Sequence, residues 1–155
     1  MQHRVRAAVI IIDRGKLLLV KHVDPQTAEE WWIPPGGGLQ SGDQSILDCA
    51  TRETYEETGL RVSIGKLIYL RDLHELATGT HHIELFFLAD HFHGSLTTEH
   101  ALGKGPDEGL IQELRWLTRQ ELQALTVYPP SLKDGLWQDL GQGFPTVRYL
   151  GVETG

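Results

Sequence analysis

Residues 36–60 decide how this chain is read. Gly36-Gly37-Gly38 is followed by Leu39 to Gln44, and then by Ser45-Ile46-Leu47-Asp48-Cys49-Ala50-Thr51-Arg52-Glu53-Thr54-Tyr55-Glu56-Glu57-Thr58-Gly59-Leu60. Ser45 with Asp48 three residues on is a capping-box signature, and Gly59 supplies a left-handed stop, so the spacing predicts a helix over 46–58. At roughly 100° per residue, Glu53, Glu56 and Glu57 fall within an arc of about 100° and share one face. Ile46 and Ala50 continue the line of Glu53 and Glu57, which puts the acids at the edge of the packed stripe. They crowd the last turns, where the helix dipole disfavours each negative charge by roughly 0.3–1 kcal/mol and like charges at i,i+4 add about 0.2–0.5 kcal/mol. Arg52 offsets only one of them. Glutamate is a good helix former and a charged helix face is ordinarily just solvated. Here, however, Pro34-Pro35-Gly36-Gly37-Gly38 enters the helix with backbone that can approach a ligand and expose carbonyl oxygens. Hard oxygen donors in this number suit Mg²⁺ or Mn²⁺.

The order Gly38, five residues, Gln44, seven residues, Arg52-Glu53-Thr54-Tyr55-Glu56-Glu57-Thr58-Gly59-Leu60 resembles the Nudix box. Trp32-x-Pro34 upstream and the segment from Trp116 to Glu121-Leu122 downstream are further family-like features. The resemblance implies an α/β/α sandwich on a mixed, largely antiparallel sheet. It also implies Glu53, Glu56, Glu57 and the Gly38 carbonyl around Mg²⁺ (or Mn²⁺), Arg52 among the catalytic residues, and Gln44 and Gly59 as structural support. The implied reaction is hydrolysis of the diphosphate linkage in a nucleoside diphosphate joined to another group. Glu53 or Glu57 is the candidate to orient or deprotonate the attacking water, and Glu113 or Glu108 the candidate further acid.

Two positions depart from the family pattern. Gln44 stands where the box has its first glutamate, and Thr54 stands at the aliphatic place. Gln44 can still accept a hydrogen bond from Arg52, without charge assistance. Read from Gly37, the acidic place falls instead on Asp43, with one residue inserted before the helix. The Gln44 register is preferred, because it keeps the family's seven residues before Arg52. Thr54 is close to valine in shape, and its hydroxyl has the preceding turn within reach.

Composition bounds the answer more loosely. With 155 residues, 40% of them hydrophobic, the chain is expected to form one domain over 1–155. A formal charge of −7 argues against duplex nucleic acid or an anionic membrane as the main partner. A small anionic substrate stays compatible once bound metal reverses the local charge. Cys49 is the single cysteine, which fits a reducing, cytoplasmic compartment and reads as a buried small side chain rather than a nucleophile. Ala7 to Ile12 is too short for a membrane span. Oligomeric state is open, and a homodimer is compatible with the sequence.

Taken in order, Arg4 to Ile12 and Lys16 to Lys21 read as interior strands paired in a hairpin through Asp13-Arg14-Gly15. Of Trp31 and Trp32, one is expected in the core and the other is available to stack on a base. Arg61 to Leu73, broken at Gly65, and His82 to Phe92 form an antiparallel ribbon, followed by a loop over 94–109 long enough to cover the site. Gln112 to Leu117 is a strand, and Thr118 with Glu121 caps a helix to about Leu125. Ser131 to Leu140 is an amphipathic helix and Thr146 to Leu150 the last strand. Six of the eight histidines lie between His74 and His100. They are expected as surface and turn residues, since no cysteine and no tight His spacing makes a zinc motif.

Three other functions compete with the hydrolase. A nucleotide-sensing module of the same fold would have little use for the full Glu53, Glu56, Glu57 set. An isomerase of isoprenoid diphosphates would need a cysteine at the site, and Cys49 lies a turn away from the acids. A structural protein leaves the acidic helix end without a reason. Secondary markers of substrate are not met: the proline found about fifteen residues past the box in many ADP-ribose hydrolases falls on Glu75 and Leu76. The Ser-Gln-Pro-Trp-Pro-Phe run of NADH hydrolases is absent too.

Overall fold

Cys49 and Ala50 of the glycine-bounded helix, with Leu60 just past its end, share a core with Ala7 and Val9 of the first strand and Ile11 next to it, and this contact seats the box on a sheet. The structure is a computed structural model that describes residues 1–101 and 111–155, with Gln112 as backbone only. Its strands are β1 Gln2–Ile10, β2 Ile12–Asp13, β3 Lys16–Val23, β4 Glu30–Ile33, β5 Gly36–Gly38, β6 Arg61–Glu75, β7 Thr80–His93, β8 Ile111–Thr118 and β9 Arg148–Thr154. The helices are α1 Ile46–Thr58, α2 Arg119–Leu122 and α3 Gly135–Gly141, with 3₁₀ turns at Glu99–Ala101 and Pro130–Leu132.

One sheet runs β5-β1-β7-β6-β9. It is mixed: β1 lies parallel to β7 and antiparallel to β5, while β6 is antiparallel to β7 and parallel to β9. A second sheet places β3 between β8 on one edge and β2 with β4 on the other. Residues 7–11 and 17–20 are almost entirely buried, because both sheet faces are covered. On one face α1 closes a core around Val9, Leu18 and Phe87. On the other, Leu122, Leu132 and Leu136 from the C-terminal helical segments pack on Ile10, Leu19 and Phe86. Helices thus flank the sheets on both sides, the expected α/β/α arrangement.

The expected hairpin of the first two strands is corrected. Only Ile12–Asp13 pairs with Lys16–Leu17, whereas β1 leaves for the other sheet and pairs with β7 over its whole length. The local turn satisfies two residue pairs, and the long parallel register from Gln2–Thr80 to Ile10–Leu88 takes the rest. The antiparallel ribbon of β6 and β7 is as expected, although β6 runs through Gly65 as one strand with register shifts rather than breaking. The expected helix over 131–140 is divided into Pro130–Leu132 and Gly135–Gly141.

Candidate metal and phosphate site

Helix α1 spans the predicted residues. Ser45 caps its start by accepting from the Asp48 N–H at 3.2 Å. Gly59 ends it at φ 80°, its N–H donating to the Tyr55 carbonyl. No basic residue occupies the last turn, so the acids there face the unfavourable end of the dipole.

Arg52 is the centre of the site. Its Nε donates to Asp43 Oδ1 at 2.9 Å and its Nη2 to Asp43 Oδ2 at 2.8 Å. Nη1 donates to Glu53 Oε1 at 2.9 Å and reaches Glu56 Oε2 at 3.4 Å, and Nη2 also donates to the Gly38 carbonyl at 3.2 Å. The preferred register is therefore corrected: the residue bracing Arg52 is Asp43, not Gln44. A guanidinium fork matches the two oxygens of a carboxylate, and such charge-assisted pairs are about twice as strong as neutral ones. Gln40 donates its N–H to Asp43 Oδ2 at 2.9 Å and fixes the turn that presents the carboxylate. The Gln44 N–H instead donates to Asp48 Oδ2 at 3.0 Å. The Arg52 guanidinium holds the Asp43 carboxyl below its ordinary pKa.

Glu53 shows the opposite shift. Burial pushes its pKa up, against the pull of Arg52. Its carboxylate lies against the glycine loop, where a Cβ on Gly37 would stand 2.5 and 2.6 Å from the two Glu53 oxygens. A side chain at Gly37 would therefore have to push the Glu53 carboxylate aside. Glu57 is 7% exposed, and its Oε1 accepts from the Gly36 N–H at 3.0 Å, tying the helix end to the same loop.

Of the expected site residues, Arg52 bonds Glu53, Glu56 and the Gly38 carbonyl, while Glu57 bonds Gly36 of the same loop. Glu113 stands apart from this set. Along β8, Leu114 and Trp116 pack on the α1 side, while Leu117 belongs to the opposite core. Alternation puts Glu113 on that opposite face with Arg115, to which it is paired at 2.7 Å. Glu113 as a further acid of the box is corrected on this ground. Glu108 lies outside the described residues. Thr54 fills the aliphatic place fully buried, but its hydroxyl has no hydrogen-bond partner among the described residues, so the expected bond to the preceding turn does not form. Cys49 is fully buried and its thiol is pushed up to about 11, first by burial and then by the Asp43 charge, as befits a packing residue.

As the side chains stand, no three His, Cys, Asp or Glu groups among the described residues converge to hold a metal ion. Arg52 lies between Glu53 and Glu56, and Glu57 is turned to Gly36. The chemistry of the set nonetheless fits a hard divalent cation. It offers carboxylate and glycine carbonyl oxygens, a loop stripped of side chains against Glu53, and a buried carboxylate whose charged form lacks solvation. Of the carboxylates bonded to Arg52, Glu56 makes the longest contact, at 3.4 Å.

A cavity of about 330 Å³ opens beside this loop on the other face of the first sheet. Ala8 and Pro34 line it, and Ala8 is the register partner of Gly36. Its floor carries charge that a strand-by-strand reading did not single out: Glu84 accepts from Arg71 Nε at 2.8 Å and from Arg6 Nε at 3.2 Å, and Arg71 also pairs with Glu153. The available signal was polar residues alternating into otherwise apolar strands, Arg6 beside Ala8 and Glu84 beside Phe86. Trp32 is 3% exposed and is the core tryptophan, while Trp31 stacks on His22 at 5.6 Å and lines the cavity. His82, expected at the surface, is instead buried there at 4% exposure.

Comparison with known proteins agrees with the geometry. The family described as NUDIX domain matches residues 1–135. An uncharacterized Nudix hydrolase, YvcI, of Bacillus subtilis (strain 168) is 30% identical over 135 residues, 81% of this chain and 72% of the relative. A NUDIX hydrolase from Nitrosomonas europaea superposes with TM-score 0.71 at 25% identity, covering 96% of this chain and 93% of its own. The ORF135 protein of E. coli shares the fold at TM-score 0.69 and 22% identity, over 94% of this chain and 96% of its own.

Proposed function

The chain belongs to the Nudix family and is a hydrolase of that family; on that premise we propose that it is Mg²⁺- or Mn²⁺-dependent and cleaves the phosphoanhydride of a nucleoside diphosphate joined to another group. The observation that carries this reading is the joint placement of Glu53 against Gly37 and of Glu53 and Glu56 on Arg52, beside a cavity with an aromatic wall. Glu53, Glu56, Glu57 and the Gly38 carbonyl would hold the cation. When bound, such an ion neutralises the diphosphate and acidifies a coordinated water.

The protein's own groups do the rest. Asp43 fixes Arg52, and Arg52 holds the Glu53 carboxylate in place through Nη1. Glu57 anchors Gly36, which keeps the loop carbonyls aimed at the helix. Glu53 or Glu57 orients the attacking water or takes its proton, and Glu108 remains the candidate further acid. The cavity takes the organic part of the substrate, with its diphosphate passing over the glycine loop. We place this activity in one domain over 1–155, on the strength of its length and 40% hydrophobic content, and in the cytoplasm, on the strength of the single free cysteine, Cys49.

The test is a panel of nucleotides, nucleotide sugars, dinucleotides and oxidised nucleoside triphosphates, assayed for phosphate or diphosphate release. At least one compound should be cleaved at a bridging phosphate only with divalent metal, and Gly37→Ala should lower that rate at least tenfold by displacing Glu53. Turnover undiminished in excess EDTA, or failure of every compound, would refute it; binding without turnover would favour a sensing module.

A further inference from the structure

A second cavity, of about 280 Å³, opens against α1 and is lined by Thr51, Arg52, Tyr55, Glu56, Arg61 and His100. It adjoins the glycine loop through Arg52, which lines it and also donates to the Gly38 carbonyl at 3.2 Å. Its donors are unequally committed. Thr51 gives its hydroxyl proton to the Leu47 carbonyl at 2.9 Å, and Arg52 is held by Asp43, Glu53 and Glu56. Arg61 is different. No carboxylate pairs with it among the described residues, and its guanidinium carbon lies over the Tyr55 ring, 4.2 Å from the centroid. His100 stacks on the same ring at 4.6 Å. A ring face holds a guanidinium through its charge, and the N–H fork stays available to an oxyanion.

The surroundings narrow the ligand. In this lining the guanidiniums of Arg52 and Arg61 face one carboxylate, that of Glu56, and Glu56 is among the groups that would hold the cation. A cleft of that sign gathers anions. The larger cavity has the opposite balance, with Glu75, Glu84 and Glu153 against Arg6 and Arg71. One substrate can therefore lay its organic end there and a phosphate end here, across the glycine loop between them. The arginine fork matches two oxygens of a phosphate. A second base fits less well, because Tyr55 is already stacked on His100 and covered by Arg61. We propose that Arg61 is a specificity residue, its guanidinium gripping the terminal phosphate of a chain of three. The proposal rests on the hydrolytic reading of the glycine loop and deepens it: the group joined to the nucleoside diphosphate is itself a phosphate.

The experiment measures binding rather than turnover, by calorimetry in Mg²⁺ with nucleoside 5′-diphosphates and 5′-triphosphates whose bridging oxygens are replaced by methylene, so that neither is cleaved. For at least one nucleoside the parent should bind the triphosphate analogue about tenfold or more tighter than the diphosphate one, as expected of one charge-assisted pair. Arg61→Gln should abolish that preference while leaving the affinity for the diphosphate analogue in place, a split that a merely structural role would not produce. Arg61→Lys keeps the charge without the fork and should recover part of the preference. On the parent protein, the ¹⁵N–H resonances of the Arg61 guanidinium should move with the triphosphate analogue and not with the diphosphate one, which keeps the test decisive should the glutamine variant fail to fold. A preference that survives Arg61→Gln, an equal loss for both analogues, unmoved Arg61 resonances, or no binding of either analogue to the parent overturns the proposal. Arg61-dependent binding of the triphosphate analogue with no hydrolysis across the substrate panel would uphold Arg61 and refute the hydrolytic reading instead. Metal-dependent hydrolysis with the preference intact in Arg61→Gln would do the reverse.

Discussion

Arg52 grips Asp43 through two parallel hydrogen bonds, Nε to Oδ1 at 2.9 Å and Nη2 to Oδ2 at 2.8 Å. The pair sets which residue stands in for the first acid of the box. Asp43→Ala should destabilise the fold by about 2 kcal/mol, since it removes charge-assisted bonds and leaves Arg52 a partner short. Gln44→Ala should stay within about 0.5 kcal/mol, as expected of a surface change whose backbone bond survives. Urea unfolding of the two variants decides between the registers, and the reverse order would restore Gln44.

The same pair has a pH signature. The folded-state pKa of Asp43 is depressed by Arg52, so its contribution is fully present above the unfolded value near ~3.9 and is lost as pH falls through the folded one. Asp43→Asn should therefore be less stable than the parent at neutral pH, with the gap closing as pH drops below about 4. Unfolding free energies from pH 7 down to 2.5 measure it, and a gap that is constant across this range would count against the ion pair.

Thr54 offers a change of opposite sign. Its side chain is fully buried on the packed face of α1, and its hydroxyl has no hydrogen-bond partner among the described residues. Valine has nearly the same shape without the polar atom, so Thr54→Val should stabilise by about 1 kcal/mol. Activity should be unchanged, because the substitution keeps the shape of the side chain and removes no carboxylate. A neutral or destabilising result in urea melts would mean that the hydroxyl finds a partner after all.

The box helix was legible to the residue because its signals are local: the Ser45 cap, the Gly59 stop and the carboxylate spacing all lie within one short segment. The Arg52 partner was not, since one residue of slack before the helix leaves Asp43 and Gln44 both within reach and only the turn at Gln40 selects between them. The pairing of β1 with β7 was hidden for another reason. Asp13-Arg14-Gly15 advertises a hairpin, while the parallel partner lies 78 residues on, Gln2 facing Thr80, and leaves no mark on the sequence near β1. Glu113 illustrates how alternation misleads when the face is unknown. Its strand was identified, but only the packing of Leu114 and Trp116 shows which side is turned to the box. The buried His82 was lost among neighbours such as His81 and His93, which are partly or fully exposed.

Glu57 separates a metal site from a merely acidic helix end. It sits in the last turn of α1, four residues from Glu53, and that turn holds no basic residue. Without metal the protein carries that repulsion together with the dipole penalty, so Glu57→Gln should unfold later than the parent in EDTA, by about 0.5–1 kcal/mol. The substitution preserves an oxygen for the Gly36 N–H, which isolates charge from anchoring. With Mg²⁺ the order should reverse. A ligand that binds only the folded state stabilises by about 2.7 kcal/mol at a hundred times its Kd, and the variant should lose most of that gain along with its activity. Thermal melts of both proteins in EDTA and across a Mg²⁺ titration read the two effects in one residue. A solvated face would show the first without the second, and a purely structural hydrogen bond would show neither. If Glu57→Gln keeps the parent's full Mg²⁺-dependent stabilisation, Glu57 is not a ligand and the metal must be sought among Glu53, Glu56 and the loop carbonyls alone.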